Sequence, residues 1–276
     1  MSLTQPSAFL LHPLFKRVIF RCIIGSRAYG LDDDQSDTDY RGIFLPTAEQ
    51  HWSLNGVPEH IECYETQEHY WELQRFGEET VEKSGMHDGL EIDLVTHDAK
   101  KFFGLMLKKN GYVLEQLLSP LIVQTSPEHE ELKAIAPMCI TRHHAHHYLG
   151  FAETQWNLFL KTDPPHVKPL LYVYRVLLTG IHLMRTGQIE ANLVRLNEDA
   201  QLPYIPDLIA RKTGGPEKGR LEAADLIAHA ANFICLKTEL KSAFEQSRLP
   251  DGPAPTAAAA LNDLLCRVRL TKGAHP

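Results

Sequence analysis

The residues best suited to chemistry lie between Arg21 and Leu45, in RCIIGSRAYGLDDDQSDTDYRGIFL. Gly25 and Ser26 close an apolar run; ten residues separate Ser26 from Asp37, which together with Asp39 opens a second apolar run. Residues i and i+2 of a strand point to one face, so this spacing sets two carboxylates side by side, roughly 7 Å apart at Cα. Like charges so placed raise each other's pKa unless a cation sits between them. Hard oxygen ligands at this spacing suit Mg²⁺ or Mn²⁺, particularly when phosphates supply the remaining ligands. A glycine that ends a strand lets backbone approach a phosphate, and a following serine hydroxyl and N–H groups can donate to its oxygens. The two features together read as a phosphate-gripping turn joined to a metal site. The P-loop pattern GxxxxGK[ST] is not present.

A third carboxylate follows in LEIDLVT, where Leu90, Ile92 and Leu94 alternate with Glu91, Asp93 and Val95. If that strand pairs beside the strand of Asp39, three carboxylates converge, a set able to hold two divalent cations roughly 3.5–4 Å apart. Glu91 shares the face and competes for the role; the apolar neighbours Ile92 and Leu94 favour Asp93. Arg27 and Arg41 flank the acidic site and can either contact phosphate or balance charge. Lys168 and Arg175 fall on nearly one helical face with Tyr172 between them, so they can line a nucleotide cleft or form a solvated basic face. In RHHAHH, His143 and His147 have the i, i+4 spacing of a transition-metal pair, but no Cys or carboxylate stands at matching spacing, which leaves a zinc site incomplete. Glu115 reads as structural.

These side chains need elements to hold them. VIFRCII is short and rich in β-branched and aromatic residues, as in a strand buried on both faces, and Gly25 ends it. DYRGIFL, Asp39 to Leu45, is a second strand, stopped by Pro46. From Glu49 to Glu91 there are eleven acidic and two basic residues, which reads as a solvated strand-and-loop insertion over about 47–90. After LEIDLVT the period becomes helical. Asp98 is the expected N-cap of AKKFFGLMLKKN, with Asn110-Gly111 as its stop. A short helix over Val113 to Leu118 follows, then one opened by Ser126-Pro127 towards Ala136. Longer helices are expected over Thr141 to Lys161, with Tyr148, Phe151, Trp156 and Phe159 in the core, over Lys168 to Arg185 with Gly187 as its stop, and over about Glu217 to Ser247. The segment DGPAPTAAAA reads as a linker before a last helix, Leu261 to Arg269.

The 276 residues suffice for one large domain or two ordinary ones, and 43% apolar with 23% charged residues is a globular composition. No apolar run reaches the roughly 20 residues of a membrane span. The opening MSLTQPSAFLLHPLFKR has no basic region ahead of its apolar residues, and the five scattered cysteines show no CxxC, so a cytoplasmic protein with free thiols is expected. The formal charge of −7 argues against general coating of polyanions. It divides as 12 basic and 22 acidic residues over 1–140 (−10) against 16 basic and 13 acidic over 141–276 (+3), so a polyanion would be sought on the second half.

GSRAYGLDDDQSDTDYRGIF resembles the Gly-Ser, ten-residue spacer, Asp-x-Asp signature of the DNA polymerase beta-like nucleotidyltransferase superfamily. It is similar above all to a bacterial and phage branch with GSRAYGL followed by SDxDxRG; DLVTHDAKKFFGLMLKKNGYVLEQLLSP and, more loosely, KPLLYVYRVLLTG share the likeness. The resemblance covers about half of the chain. It implies an α+β fold, with a small mixed-sheet catalytic core and flanking helices over 1–125 and an all-helical domain over 126–276. It also implies metal-dependent transfer of a nucleoside monophosphate from an NTP to a hydroxyl, with release of pyrophosphate. Gly25 and Ser26 would then hold the triphosphate, Asp37 and Asp39 two Mg²⁺ or Mn²⁺ ions, and Asp93 the catalytic one. Arg27, Lys168 and Arg175 are further candidates for nucleotide contact. The acceptor, whether protein, RNA or tRNA, DNA end or small molecule, is left open, as are the base and the oligomeric state. Two rival readings are a non-catalytic nucleotide- or RNA-binding partner of the antitoxin kind, and addition of nucleotides to a nucleic-acid 3′ end.

Overall fold

The computed structural model describes residues 17–34, 36–45, 54, 60–64, 70–75, 80–87, 90–161, 163–214, 221 and 223–270; at 60–64, 70–75, 80–87, 90–92, 223 and 224 the description is of the backbone. VIFRCII forms β1 (Val18–Ile24), buried at every position. Antiparallel to it runs β2 (Thr38–Phe44). The acidic insertion contributes an antiparallel ribbon, β3 (His60–Tyr64), β4 (Tyr70–Arg75) and β5 (Thr80–His87). Next, β6 (Leu90–Asp98) pairs antiparallel with β5 and parallel with β2. Parallel neighbours cannot be joined by a tight turn, so the long segment between Phe44 and Leu90 is the crossover that their pairing requires. A short strand, β7 (Ile122–Gln124), adds antiparallel to β1 and gives the order β3-β4-β5-β6-β2-β1-β7. The mixed core is β6-β2-β1-β7.

Asp98 ends β6 and caps α1 (Ala99–Leu107), its carboxylate accepting from Lys100 N–H at 2.9 Å. The buried side of α1 meets the sheet where Phe102 stands edge-on to Phe20, ring centroids 5.6 Å apart. Asn110-Gly111 was expected to stop this helix; instead Asn110 caps the next one, α2 (Gly111–Leu117), accepting from Tyr112 and Val113 N–H at 3.0 and 3.4 Å. The chain turns between them at Lys109, which takes a left-handed φ of 63°. Proline opens α3 (Pro127–Cys139) as expected, although Ser126 makes no side-chain capping bond.

The remainder is α4 (His144–Lys161), α5 (Val167–Thr186), α6 (Leu193–Ala200), α7 (Tyr204–Thr213), α8 (Ala223–Gln246) and α9 (Pro255–Leu270). The most apolar sequence, α5, is central to this half, and Gly187 ends it with φ 73°. Two helices, α6 and α7, were not anticipated: each buries only two residues, too few for a clear apolar period. Another correction concerns PTAAAA, which is helix and not linker, because proline suits a first helical turn and alanine is the strongest helix former. Of the expected core aromatics in α4, Tyr148 and Phe159 are buried, Trp156 is half-buried and stacks on Phe233 at 4.5 Å, and Phe151 is 36% exposed. No helix among the described residues is long and apolar enough to cross a membrane.

One buried cluster of apolar side chains runs from the sheet into the helices. Within it, Arg175 of α5 donates through Nη1 to Glu115 Oε2 of α2 at 2.8 Å, both side chains 3% exposed. Glu115→Ala strands a buried guanidinium and is expected to lose about 3–5 kcal/mol in urea unfolding. Glu115→Gln, which keeps an acceptor, should lose less; equal small losses in both would show that the pair carries no stability.

Burial also fixes His144, whose Nδ1 lies 3.2 Å from the Thr141 N–H and whose pKa burial depresses to about 4 from an ordinary 6.5. The unfolded chain takes up that proton near pH 6.5 and the folded chain only near 4. Its contribution is therefore complete above pH 6.5 and is lost as pH falls from 6.5 towards 4. Urea midpoints should fall between pH 7 and 5.5, and fall less in His144→Gln; an unchanged decline would remove His144 as a cause.

Candidate active site

At the end of β1 the chain turns at Gly25, with φ 69°, and closes the turn by hydrogen bonds from Tyr29 N–H to Gly25 O at 3.0 Å and from Leu31 N–H to Ser26 O at 2.9 Å. Here the glycine is required twice over. Left-handed backbone disfavours any side chain, and a Cβ would stand 2.0 Å from Asp39 Oδ2. The turn and the second aspartate are thus pressed together by the pairing of Ile24 with Asp39 across β1 and β2.

The parallel register of β2 and β6 then sets Asp93 directly opposite Asp39. Glu91 lies two residues ahead of Asp93, where β6 is paired with Met86 of β5 and β2 has not yet begun its pairing at Thr38. Register thus brings Asp93, not Glu91, beside Asp39. Burial raises the pKa of Asp39; Arg41 opposes that shift, and Asp37 and Asp93 add to it, which marks the three carboxylates as electrostatic neighbours. Arg41 lies between two of them. Its Nη2 donates to Asp39 Oδ1 at 3.2 Å and Asp93 Oδ2 at 3.0 Å, its Nη1 to Tyr40 O at 2.8 Å and Asp93 O at 3.2 Å, and its Nε to Tyr112 Oη at 3.3 Å. Of the two sequence readings for this arginine, charge balance is the one its bonds satisfy.

Asp37 and Asp39 open on a cavity of ≈ 520 Å³ between sheet and helices. Gly25, Lys168 and Arg175 share its wall, and Tyr29, Tyr112, Tyr148, Phe151 and Tyr172 give it an aromatic lining. A few polar groups in a mostly apolar concavity is the usual build of a small-molecule site. Lys168, exposed in the first turn of α5, is close enough to lower the pKa of Asp39. Ser26 is 3% exposed, with its Oγ 3.5 Å from Tyr172 Oη, so its hydroxyl sits behind the wall.

Two further candidates make contacts within the protein. Arg27, expected at phosphate, donates through Nε to Asp37 O at 3.1 Å and Thr38 Oγ1 at 3.0 Å and through Nη2 to Ser36 O at 2.6 Å, so it braces the loop that presents the aspartates. Arg175 is committed to Glu115 and lies 3.9 Å over the Tyr29 ring. Both guanidinium groups are engaged by the protein, Arg27 by the loop from Ser36 to Thr38 and Arg175, through Nη1, by Glu115. The sequence missed the aromatic lining apart from Tyr172, and missed Asn110 and Gln155 beside it; the signal available was the density of Tyr in and around SRAYGL and KNGY.

Among the described residues no group of three or more His, Cys, Asp or Glu is gathered as a metal cage. That holds for His143 and His147 as well. The donor set suits an ion of the Mg²⁺ kind, which binds through one or two carboxylates and takes its other ligands from water and phosphate. Asp37 and Asp39 offer the carboxylates, and Arg41 neutralises Asp93.

A mixed sheet carrying a strand-end Gly-Ser turn against an Asp-x-Asp strand, with a third aspartate in register on the parallel neighbour, is the arrangement expected of the polymerase beta-like nucleotidyltransferase superfamily. The chain belongs to the RNA repair pathway DNA polymerase beta family, RlaP, which it matches over residues 10–267. It is 29% identical over 174 residues to the uncharacterised protein MJ0002 of Methanocaldococcus jannaschii, a stretch that covers 63% of each chain. It is 24% identical over 257 residues to the uncharacterised protein YcgL of Bacillus subtilis, covering 90% of this chain and 88% of that one.

Close approach of Gly25 to Asp39 makes a double-mutant cycle informative. Gly25→Ala should lose about 1–3 kcal/mol from strained backbone and collision. Adding Asp39→Ala, which removes the oxygen 2.0 Å away, should recover part of the loss. Strict additivity in urea unfolding would show that the two residues do not meet.

Proposed function

We propose that the chain transfers a nucleoside monophosphate from an NTP to an acceptor hydroxyl and releases pyrophosphate. The observation that carries this reading is that Asp37 and Asp39 share one cavity with Gly25 and Lys168 while Asp93 stands in register with Asp39. In this reading Asp37 and Asp39 hold Mg²⁺ or Mn²⁺ together with phosphate oxygens. Such an ion, when bound, neutralises the phosphoryl oxygens and the departing pyrophosphate. The Gly25-Ser26 turn receives the triphosphate through its backbone, and Lys168 pairs with it beside the N-terminus of α5, an end that favours anions. Asp93 would accept the proton of the attacking hydroxyl and, were a second ion bound, would help to hold it beside Asp39. Tyr172, Tyr112 and Phe151 supply faces for the base. Residues 1–125 form the catalytic part and 126–276 the helical wall.

The family description names RNA repair, and an RNA end is accordingly the acceptor proposed here. A cytoplasmic setting accords with Cys22, Cys139, Cys235 and Cys266 as free thiols. Arg41 bridging Asp39 and Asp93 favours a second reading, a non-catalytic nucleotide- or RNA-binding partner whose third carboxylate is permanently neutralised.

Incubation with α-labelled NTPs, Mg²⁺ and a short RNA separates the two. Nucleotidyl transfer predicts label on the RNA, pyrophosphate release, and a loss of about 10²–10³-fold or more in Asp37→Ala and Asp39→Ala with melting preserved. Turnover retained by either variant would refute the assignment. Calorimetric NTP binding without pyrophosphate release in any acceptor mixture would leave the binding partner as the answer. A ladder of products in place of one added nucleotide would mark repeated addition at the 3′ end.

A further inference from the structure

The histidine run that the site leaves unused lies beside it. A second cavity, ≈ 430 Å³, is lined by Lys108 and Lys109 from the corner between α1 and α2, and by His143 and His146 from the start of α4. Asn110 and His147 line both cavities, so the two are neighbours across a shared wall. Among the described residues no aspartate or glutamate lines the second one. Asp251 lies 3.6 Å from His143 Nε2 and is already engaged by Arg142 Nε at 2.6 Å. The rings of His143 and His146 stack at 5.5 Å and lean on Phe244 at 5.6 and 4.9 Å. Desolvation first and then the nearby Lys109 lower the pKa of His143, and Asp251 opposes them.

On a chain with formal charge −7, such a concentration of positive charge selects for a polyanion at one place and not for general coating. Its position is informative too. From Glu49 to Glu91 the sequence carries eleven acidic and two basic residues, and β3, β4 and β5 within that segment extend the sheet beyond β6, away from β7. Acidic sequence of this kind disfavours a phosphate chain, whereas Lys108 and Lys109 favour one at the α1–α2 corner.

We propose that this groove receives the phosphodiester chain of a single-stranded RNA acceptor whose terminal hydroxyl enters the neighbouring cavity. Lys108 and Lys109 pair with successive phosphates, and His143 and His146 offer ring N–H donors and flat faces. The inference rests on the nucleotidyl-transfer reading for what the strand is doing there, but not for its presence.

The test is anisotropy of a labelled RNA oligonucleotide at several KCl concentrations, without NTP. Lys108→Glu/Lys109→Glu should weaken binding about tenfold or more, and two lost phosphate contacts should lower the slope of log K against log salt by about 1.4. Arg185→Glu, at the far end of α5, should leave both unchanged. Melting curves establish that the variants are folded, and Lys108→Ala/Lys109→Ala replaces the charge reversal if it unfolds. Wild-type affinity and slope in the groove variants, or an equal effect of Arg185→Glu, would overturn the proposal. So would RNA binding that Lys168→Ala abolishes and the groove variants do not. RNA held in the groove without label transfer would keep this inference and reject nucleotidyl transfer; label transfer to a different acceptor with no RNA binding would do the reverse.

Discussion

The ion pair of Arg175 with Glu115 is the contact on which the arrangement of the site depends. A guanidinium and a carboxylate, each 3% exposed, have exchanged water for one another at 2.8 Å, and the aromatic face of Tyr29 lies 3.9 Å from the guanidinium carbon. Desolvated charges tolerate little displacement, because each is costly the moment the other moves away. Tyr29 belongs to the turn that Gly25 begins, Glu115 to α2 and Arg175 to α5. Three segments distant in sequence are therefore held in one geometry, and the cavity is the space left between them. Its far wall follows from the same constraint: Tyr172, one turn before Arg175, stands edge-on to Tyr29 at 5.7 Å and reaches Ser26.

The near wall is set by backbone. Ile24 pairs with Asp39 across β1 and β2, and Asp39 pairs with Asp93 across β2 and β6, so two registers determine which side chains meet. Gly25 is the point of least tolerance, since its missing side chain leaves the room that an Asp39 oxygen occupies. Arg27 then fastens the loop from Ser36 to Thr38 and fixes where Asp37 stands.

Much of this was legible in the residues. The buried strand before Gly25, the strand after Asp37, the alternation in LEIDLVT and the Asp98 cap all have strong local causes, and the structure follows them. Asp93 was preferred over Glu91, and the register of β6 pairs Asp93 with Asp39. What stayed hidden depends on tertiary partners. Nothing in the spacing of Lys168 and Arg175 distinguishes an exposed lysine from a buried arginine about two turns further on; only Glu115, sixty residues away, does so. The bonds that Arg27 makes were hidden because the carbonyls it serves lie on a loop with no periodicity. The helices α6 and α7 bury too little apolar surface to announce themselves, and PTAAAA was misread because proline and small residues also compose linkers.

Charge balance links these particulars. Burial raises the pKa of Asp39, and its two carboxylate neighbours raise it further, so the trio favours a cation at its centre. Arg41 supplies one from inside the fold, through both carboxylates and the backbone of β6. A guanidinium is permanently charged and planar, hence well suited to hold Asp39 and Asp93 at a set distance without an ion. Asp37 receives no bond from it and faces the cavity beside Lys168. The site is therefore asymmetric: one side is closed by protein charge, and the other presents a carboxylate to whatever enters.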